Sequence, residues 1–355
     1  MRWEQQKLET SDAGTIPGLP NMQGFVRSIQ TPEFAGLTFH EVMAKSALNN
    51  VPSASAMPFN WTINPYRGCS HQCAYCFARK THEYLDLDAG ADFDSQIVVK
   101  VNVVDVLRRE LARPTWECEH VALGTNTDPY QRAEGRYQLM PGIIQALTDA
   151  GTPFSILTKG TLIRRDLPLL ADAAQQVSVG LGVSLAIWDT ALHETIEPGT
   201  PSPQARLALV RAAGEAGLPC GVFLAPVLPW LTDSTEQLDA ALAQLADAGA
   251  SGVTVLPLHL RPGAREWFLR WLQQAEPGLV PRYEALYRRG AYVPGWYKKQ
   301  LWRRIGPLLR KHGFDRKAQR EPDEGHYPEG SMAEEATAAQ TQPSPEDVPR
   351  QLSLL

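Results

Sequence analysis

Short apolar runs alternate with stretches of helical period from residue 61 onwards. Trp61–Tyr66, His120–Thr125, Pro153–Thr158, Ser178–Ser184, Gly221–Pro226 and Gly252–Leu258 have the length and bounding turn residues of strands. Residues 102–113, 140–150, 162–175, 202–216 and 234–248 carry the helical pattern between them. The helix ends are marked in the sequence. Pro203 follows Ser202 as a first-turn proline follows an N-cap, and Ser234 with Gln237 has the spacing of a capping box. Gly151, Gly217 and Gly249 stand where a left-handed C-cap is wanted. Strands that alternate with helices imply a parallel sheet with right-handed crossovers. Six such units, with no glycine-rich dinucleotide fingerprint after the first strand, predict an α/β fold, a partial (β/α)6 barrel over 58–260. A doubly wound sheet is the alternative.

Outside that span the alternation is lost. Residues 1–57 show no lasting periodicity and are punctuated by Pro17, Gly18, Pro20 and Gly24, which predicts an irregular lead-in packed over the barrel. Ala264–Ala275 has helical period, and 281–313 is aromatic and basic with Pro294 and Pro307 interrupting it. Residues 261–315 therefore read as a helical extension. From 316 the chain is rich in Glu, Pro, Ala and Gln and nearly free of aromatics. That composition does not offset its ordering entropy, so a disordered tail is expected over 316–355.

Composition changes the picture little, since 43% hydrophobic and 21% charged residues describe an ordinary globular chain. No apolar run approaches the ~20 residues needed to span a bilayer, and Met1–Lys7 lacks the apolar stretch of a secretory signal. A cytoplasmic protein without a membrane partner is expected. Charge matters once it is divided. Residues 281–320 hold twelve Lys/Arg against Glu284 and Asp315, a net +10, whereas 321–355 hold eight Asp/Glu against Arg350, a net −7. With −5 for the whole chain, the first 280 residues carry −8.

Five cysteines in a cytosolic chain point to metal binding or catalysis rather than disulfides. Cys69, Cys73 and Cys76 lie in the loop after the first strand of the barrel, on the face where barrel chemistry resides. Three thiolates spaced C-x3-C-x2-C can hold one cubane iron–sulfur cluster and leave one iron open to a substrate or cofactor. The alternative is structural zinc, for which His71 or His82 would supply a fourth ligand; no second C-x2-C pair exists in the chain. Cys118 and Cys220 precede the second and fifth strands, at the opposite, stability-bearing face.

The cysteine spacing, with aromatic Tyr75 before the last cysteine, resembles the signature of the radical S-adenosylmethionine (SAM) superfamily. Gly124-Thr125-Asn126-Thr127-Asp128-Pro129-Tyr130, Leu157-Thr158-Lys159-Gly160 and Glu197-Pro198-Gly199-Thr200-Pro201-Ser202-Pro203 resemble its spore photoproduct lyase-related group. The resemblance implies a [4Fe-4S] cluster on Cys69, Cys73 and Cys76, with SAM chelating the open iron. An electron donor such as flavodoxin or ferredoxin would reduce the cluster. SAM would then be cleaved to a 5′-deoxyadenosyl radical that takes hydrogen from a substrate.

The resemblance also implies SAM contacts. Gly124, Thr125 and Asn126, in place of the commoner Gly-Gly-Glu, would meet the methionyl amino group, and Lys159 would pair with the carboxylate. Ser184 would reach the ribose hydroxyls. Tyr75 and the run Ala225-Pro226-Val227 would flank the adenine. Trp188, Asp189, His193, Glu194 and Glu197 cluster after the fourth strand and read as substrate-selecting residues or solvated turns. Arg206 reads as a SAM-assisting or surface arginine, and His259 as a residue over the site or a satisfied structural histidine. In the spore lyase a cysteine near the active face returns the hydrogen. No cysteine stands at the carboxyl end of the later strands here, so repair by that route is not expected.

Two partner readings come from the carboxyl-terminal part. Tyr283, Tyr287, Tyr292, Trp296, Tyr297 and Trp302 interleaved with cations over 281–320 form a nucleic-acid footprint, or else a buried stripe with solvated charges. Gln351-Leu352-Ser353-Leu354-Leu355 resembles the peptide that binds bacterial sliding clamps, with Leu355 in the place of the preferred Phe. The sequence thus favours a radical SAM enzyme for a nucleic-acid-derived substrate. A small-molecule or peptide substrate, and a zinc-stabilised nucleic-acid-binding protein, are the alternatives.

Overall fold

A computed structural model of the chain describes residues 24–52, 57–85 and 87–314. Strands β1 (Phe25–Ile29), β2 (Thr38–Val42) and β3 (Leu48–Asn50) precede β4 (Trp61–Ile63) and β5 (Tyr66–Arg67). Helix α1 (Ala91–Ser95), β6 (Gln96–Lys100) and α2 (Val103–Leu111) lead to β7 (Val121–Leu123). There follow α3 (Arg132–Tyr137), α4 (Leu139–Asp149), β8 (Phe154–Thr158), α5 (Leu167–Ala173) and β9 (Val179–Ser184). Next come α6 (Thr190–Ile196), α7 (Pro203–Glu215), β10 (Cys220–Val227), α8 (Thr235–Asp247) and β11 (Gly252–Pro257). The extension adds α9 (Ala264–Ala275), α10 (Val280–Leu286) and α11 (Gly295–Lys311).

The larger sheet has the order β11-β10-β9-β8-β7-β4-β3. Every neighbouring pair from β4 to β11 is parallel, and β3 adds antiparallel at the edge. Six parallel strands in chain order, with helical crossovers, make the expected partial (β/α)6 barrel. Apolar side chains such as Ile63, Leu123, Ile156, Val183 and Leu224 form its core. The caps behave as the sequence predicts: Ser202 accepts from the Ala205 amide, Ser234 and Gln237 form a capping box, and Gly151, Gly217 and Gly249 take positive φ.

Three expectations are corrected. The lead-in is not irregular over 24–50, because β1, β2 and β3 occupy it. β1 and β2 join β6 and β5 in a second sheet of order β1-β2-β6-β5. Polar residues hide this sheet in the sequence: buried His40 of β2 is satisfied by Ser28 at 2.8 Å and Gln96 at 2.9 Å, and Glu41 by Arg27 at 2.8 Å. The first predicted strand, Trp61–Tyr66, splits at Asn64-Pro65, and Tyr66–Arg67 crosses to the second sheet. Pro307 does not interrupt the extension but lies inside α11. The carbonyl it leaves unpaired belongs to exposed Arg303, where water can satisfy it.

The aromatic rings of the extension divide into two sets. Tyr283, Tyr287 and Tyr297 are buried, and their hydroxyls donate to the Pro229 carbonyl, the Leu258 carbonyl and Asp233, each at 2.7 Å. They fasten α10 and α11 to the chain just beyond β10 and β11. Tyr292 and Trp296 are exposed. No helix among the described residues is long and apolar enough to cross a membrane. The tail over 316–355, with Gln351–Leu355, lies outside the described residues.

Candidate active site

The cysteine loop leaves β5 through Gly68, whose φ of 81° and close approach to the Gln96 carbonyl admit only glycine. It is held on three sides. The Cys69 amide donates to the Phe93 carbonyl at 2.9 Å, and the Ala74 amide to the Ile196 carbonyl at 2.9 Å. Gln131 bridges the loop, accepting from the Ser70 amide and donating to the Gly68 carbonyl, both at 2.9 Å. Arg79 is buried, pairs with Asp94 at 2.9 Å and donates to the Cys73 carbonyl at 2.9 Å. Its guanidinium packs between the Phe93 and Trp267 rings.

The three quoted motifs converge on this loop. Asp128 accepts from the Thr158 hydroxyl and the Lys159 amide, both at 2.6 Å, and faces His71 Nδ1 at 3.4 Å. One carboxylate therefore joins the end of β8 to the cysteine loop. Gly124 approaches the Leu157 carbonyl so closely that a Cβ would lie 1.9 Å from its oxygen, and Gly199 does the same to the Ser70 carbonyl at 2.0 Å. Thr125 and Asn126 follow, half-buried, beyond β7.

Charge is concentrated around the thiols. Burial, Glu197 and the neighbouring thiolates push the Cys73 thiol well up, against the pull of Lys159. Burial and Cys69 push Cys76 to about 11. Cys73 and Cys76 thus resist ionisation beside one another, and a multivalent cation bound there would have to displace their protons. Burial lowers His71, but Asp128 and Cys69 outweigh it and hold the imidazole at about 10. Burial likewise opposes ionisation of Asp128, yet His71 and the donated hydrogen bonds keep it at about 2. Lys159 is held above its ordinary value because Cys73 and Glu197 overcome its desolvation. Its ammonium stands 5.7 Å from the centre of the Tyr75 ring.

Glu197 and Arg206 form a fully buried ion pair at 2.6 Å. The Tyr75 hydroxyl donates to Glu197, and Arg206 donates to the Ser184 carbonyl at 2.9 Å. Burial disfavours the Glu197 carboxylate, but Arg206, Lys159 and Tyr75 draw it down to about 2. Ser184 in turn donates its hydroxyl to the Ala225 carbonyl at 3.2 Å. Tyr75, Lys159, Ser184 and the cysteines thus belong to one connected cluster at the carboxyl ends of β8, β9 and β10. Arg206 Nε and Trp188 Nε1 are buried donors without an acceptor among the described residues.

Arg206 is not a surface arginine, and Glu197 is not in a solvated turn. Asp189 caps α6, and His193 is buried against Thr200 at 2.8 Å. His259 packs edge-on to Tyr292 and is pushed down to about 4 by burial, Arg261 and Lys298, so it is neutral at pH 7. Of the two histidines weighed for zinc, His71 faces Asp128, and His82 meets the Gln96 carbonyl through Nε2 at 2.9 Å while its buried Nδ1 has no partner among the described residues. Among the described residues no three His, Cys, Asp or Glu side chains converge on one ion position. A cubane, by contrast, takes each thiolate on a separate iron. Asp128, the pivot of the cluster, was missed as a site residue; its place in a strand-end loop was the available signal.

Residues 63–243 match the family description of the radical SAM superfamily. The chain belongs to that superfamily. An uncharacterized protein of Mycobacterium tuberculosis, Rv2578c, is 61% identical over 88% of this chain and 93% of the relative. An uncharacterized protein of Methanocaldococcus jannaschii, MJ0683, is 27% identical over 54% of this chain and 69% of the relative. Among solved structures, spore photoproduct lyase complexed with dinucleoside spore photoproduct has the same fold. It aligns with a TM-score of 0.57 at 17% identity, over 77% of this chain and 79% of the lyase. A variant of that lyase with bound AdoMet and dinucleoside spore photoproduct aligns with a TM-score of 0.52. The radical SAM assignment makes the protein an enzyme with an AdoMet-binding fold.

Proposed function

We propose that Cys69, Cys73 and Cys76 hold a [4Fe-4S] cluster, and that SAM lies across the ends of β7, β8 and β9. The carrying observation is the single cluster that joins the three thiols to Lys159, Tyr75, Glu197 and Ser184. The bound groups supply one-electron reduction and an organic radical able to take a hydrogen atom. The protein's own residues do the positioning. Lys159, its charge secured by Cys73 and Glu197, faces an anionic methionyl carboxylate. Gly124–Asn126 offer backbone to the methionyl amino group, and Arg206 and Glu197 fix Tyr75 and Ser184 where the nucleoside would lie. Arg79 and Gln131 brace the cysteine loop, and the apolar core beneath excludes water.

The substrate we propose is nucleic-acid-derived. The fold shared with an enzyme that binds a dinucleoside and the basic extension support this reading. The described cysteines outside the triplet, Cys118 and Cys220, sit before β7 and at the start of β10, which speaks against hydrogen return by cysteine. The reductant would be a flavodoxin or ferredoxin.

The test is anaerobic reconstitution with iron and sulfide, reduction with dithionite, addition of SAM and quantification of 5′-deoxyadenosine. Product that disappears with iron in Cys73→Ala, and persists in Cys118→Ala, is expected. Equal loss in both variants, or zinc retained in place of iron, would overturn the assignment.

A further inference from the structure

The carboxyl-end face carries a second concavity, outside the cysteine site. It lies between the loop after β10 and the first turns of α11 and encloses about 410 Å³. Its floor is Asp233, whose carboxylate is gripped by the Tyr297 hydroxyl at 2.7 Å and by Arg304 at 3.1 Å. So neutralised, Asp233 does not repel an incoming anion. The walls are Trp230, Trp296, Gln300 and Arg303.

Each wall residue is held ready or left open. Trp230 adopts φ 63°, a conformation rare for a bulky side chain, and its amide donates to Asp233 at 2.9 Å. Such backbone persists where its surroundings over-determine it, and it clusters at ligand clamps. The Arg282 guanidinium lies 4.4 Å above the Trp230 ring. Trp296, Gln300 and Arg303 fall at i, i+4 and i+7, on one face of α11, and all three are exposed, Trp296 by 55%. No carboxylate among the described residues pairs with Arg282 or Arg303. Residues 280–314 hold nine Lys/Arg against Glu284 alone.

From this arrangement we infer that the groove binds single-stranded nucleic acid. An open indole face takes the π-face of an unpaired base, and flanking guanidinium groups take its phosphates. A duplex offers no such face, because its bases already cover one another. An acidic peptide would use the cations but leave the exposed indole idle. Trp230 stands three residues beyond β10, on the barrel face that carries the cysteines, so a strand held here is presented to the candidate active site. That last clause rests on the proposed function; the binding does not.

The experiment measures anisotropy of fluorescein-labelled oligo-dT and oligo-rU with full-length protein, without SAM, across rising salt. Binding is expected for one or both oligomers, together with quenching of tryptophan fluorescence. Trp296→Ala should weaken it about tenfold or more, Trp296→Phe should recover part of the loss, and Arg303→Gln should reduce the salt slope by about one. Arg109→Gln on α2, across the molecule, should change little. Circular dichroism of each variant establishes that it is folded. No binding at about 100 μM in low salt, or equal affinity in folded Trp296→Ala and wild type, would overturn the inference. Because no SAM is present, failure here leaves the radical chemistry standing, and failure of SAM cleavage leaves this binding standing.

Discussion

Glu197 and Arg206 are two charges withdrawn completely from water, and each is tolerable only because the other is present. The Tyr75 hydroxyl and the Ser184 carbonyl supply further hydrogen bonds, which such pairs require. Glu197→Gln should therefore cost about 3–5 kcal/mol in denaturant unfolding, since it leaves Arg206 without its counter-charge. The pH dependence has a definite sign. The carboxyl titrates near 4.5 when unfolded and at about 2 when folded. Its stabilisation is complete above pH 4.5 and is lost as pH falls towards 2. Wild type should lose stability across that window more steeply than Glu197→Gln, measured as urea midpoints at successive pH values. Lys159 is a separate case, since the proposed function has it meet the methionyl carboxylate of SAM. Lys159→Ala should lower SAM affinity about 10–100-fold, the worth of a charge-assisted contact, read by equilibrium dialysis on reconstituted protein.

Loops define the site at the scale of elements, and two glycines decide how closely those loops approach. Gly199→Ala would drive a Cβ into the Ser70 carbonyl, next to Cys69. Its expected outcome is a barrel of normal far-ultraviolet circular dichroism that incorporates less iron. Ser234→Ala removes the capping box of α8 and should cost about 1 kcal/mol, seen as a lower thermal midpoint with iron content unchanged. The elements of the barrel were legible because its strands are short apolar runs that bury side chains in the core, and because α7 and α8 begin at caps written in the sequence. β8, predicted as Pro153–Thr158, occupies Phe154–Thr158, and α9 occupies Ala264–Ala275 as predicted. The strands of the smaller sheet were not legible. His40 and Glu41 are buried through partners distant in sequence, so apolar periodicity carried no trace of β2.

Across the whole molecule the same asymmetry holds. The cysteine triplet was legible as a motif because its members are neighbours in the chain. Asp128, Arg79 and the Glu197–Arg206 pair were not, because their roles depend on contacts between loops. The extension shows both outcomes at once: Tyr283 and Tyr287 at i, i+4 spacing form the buried stripe that helical period suggests, while Trp296 on the next helix is open to solvent. Which ring belongs to which set depends on the ends of β10 and β11, far upstream.

Asp128 deserves a last consideration, because it serves two masters. It holds the amide of Lys159 and faces His71 between two of the cysteines, so ordering either loop lowers the entropic cost of ordering the other. If the proposed function holds, thermodynamic linkage makes iron occupancy and SAM binding mutually reinforcing. Iron-free protein should bind SAM more weakly than loaded protein, and SAM should by the same factor slow the stripping of iron by a chelator. In Asp128→Asn that reciprocity should shrink, even where each group is still bound alone.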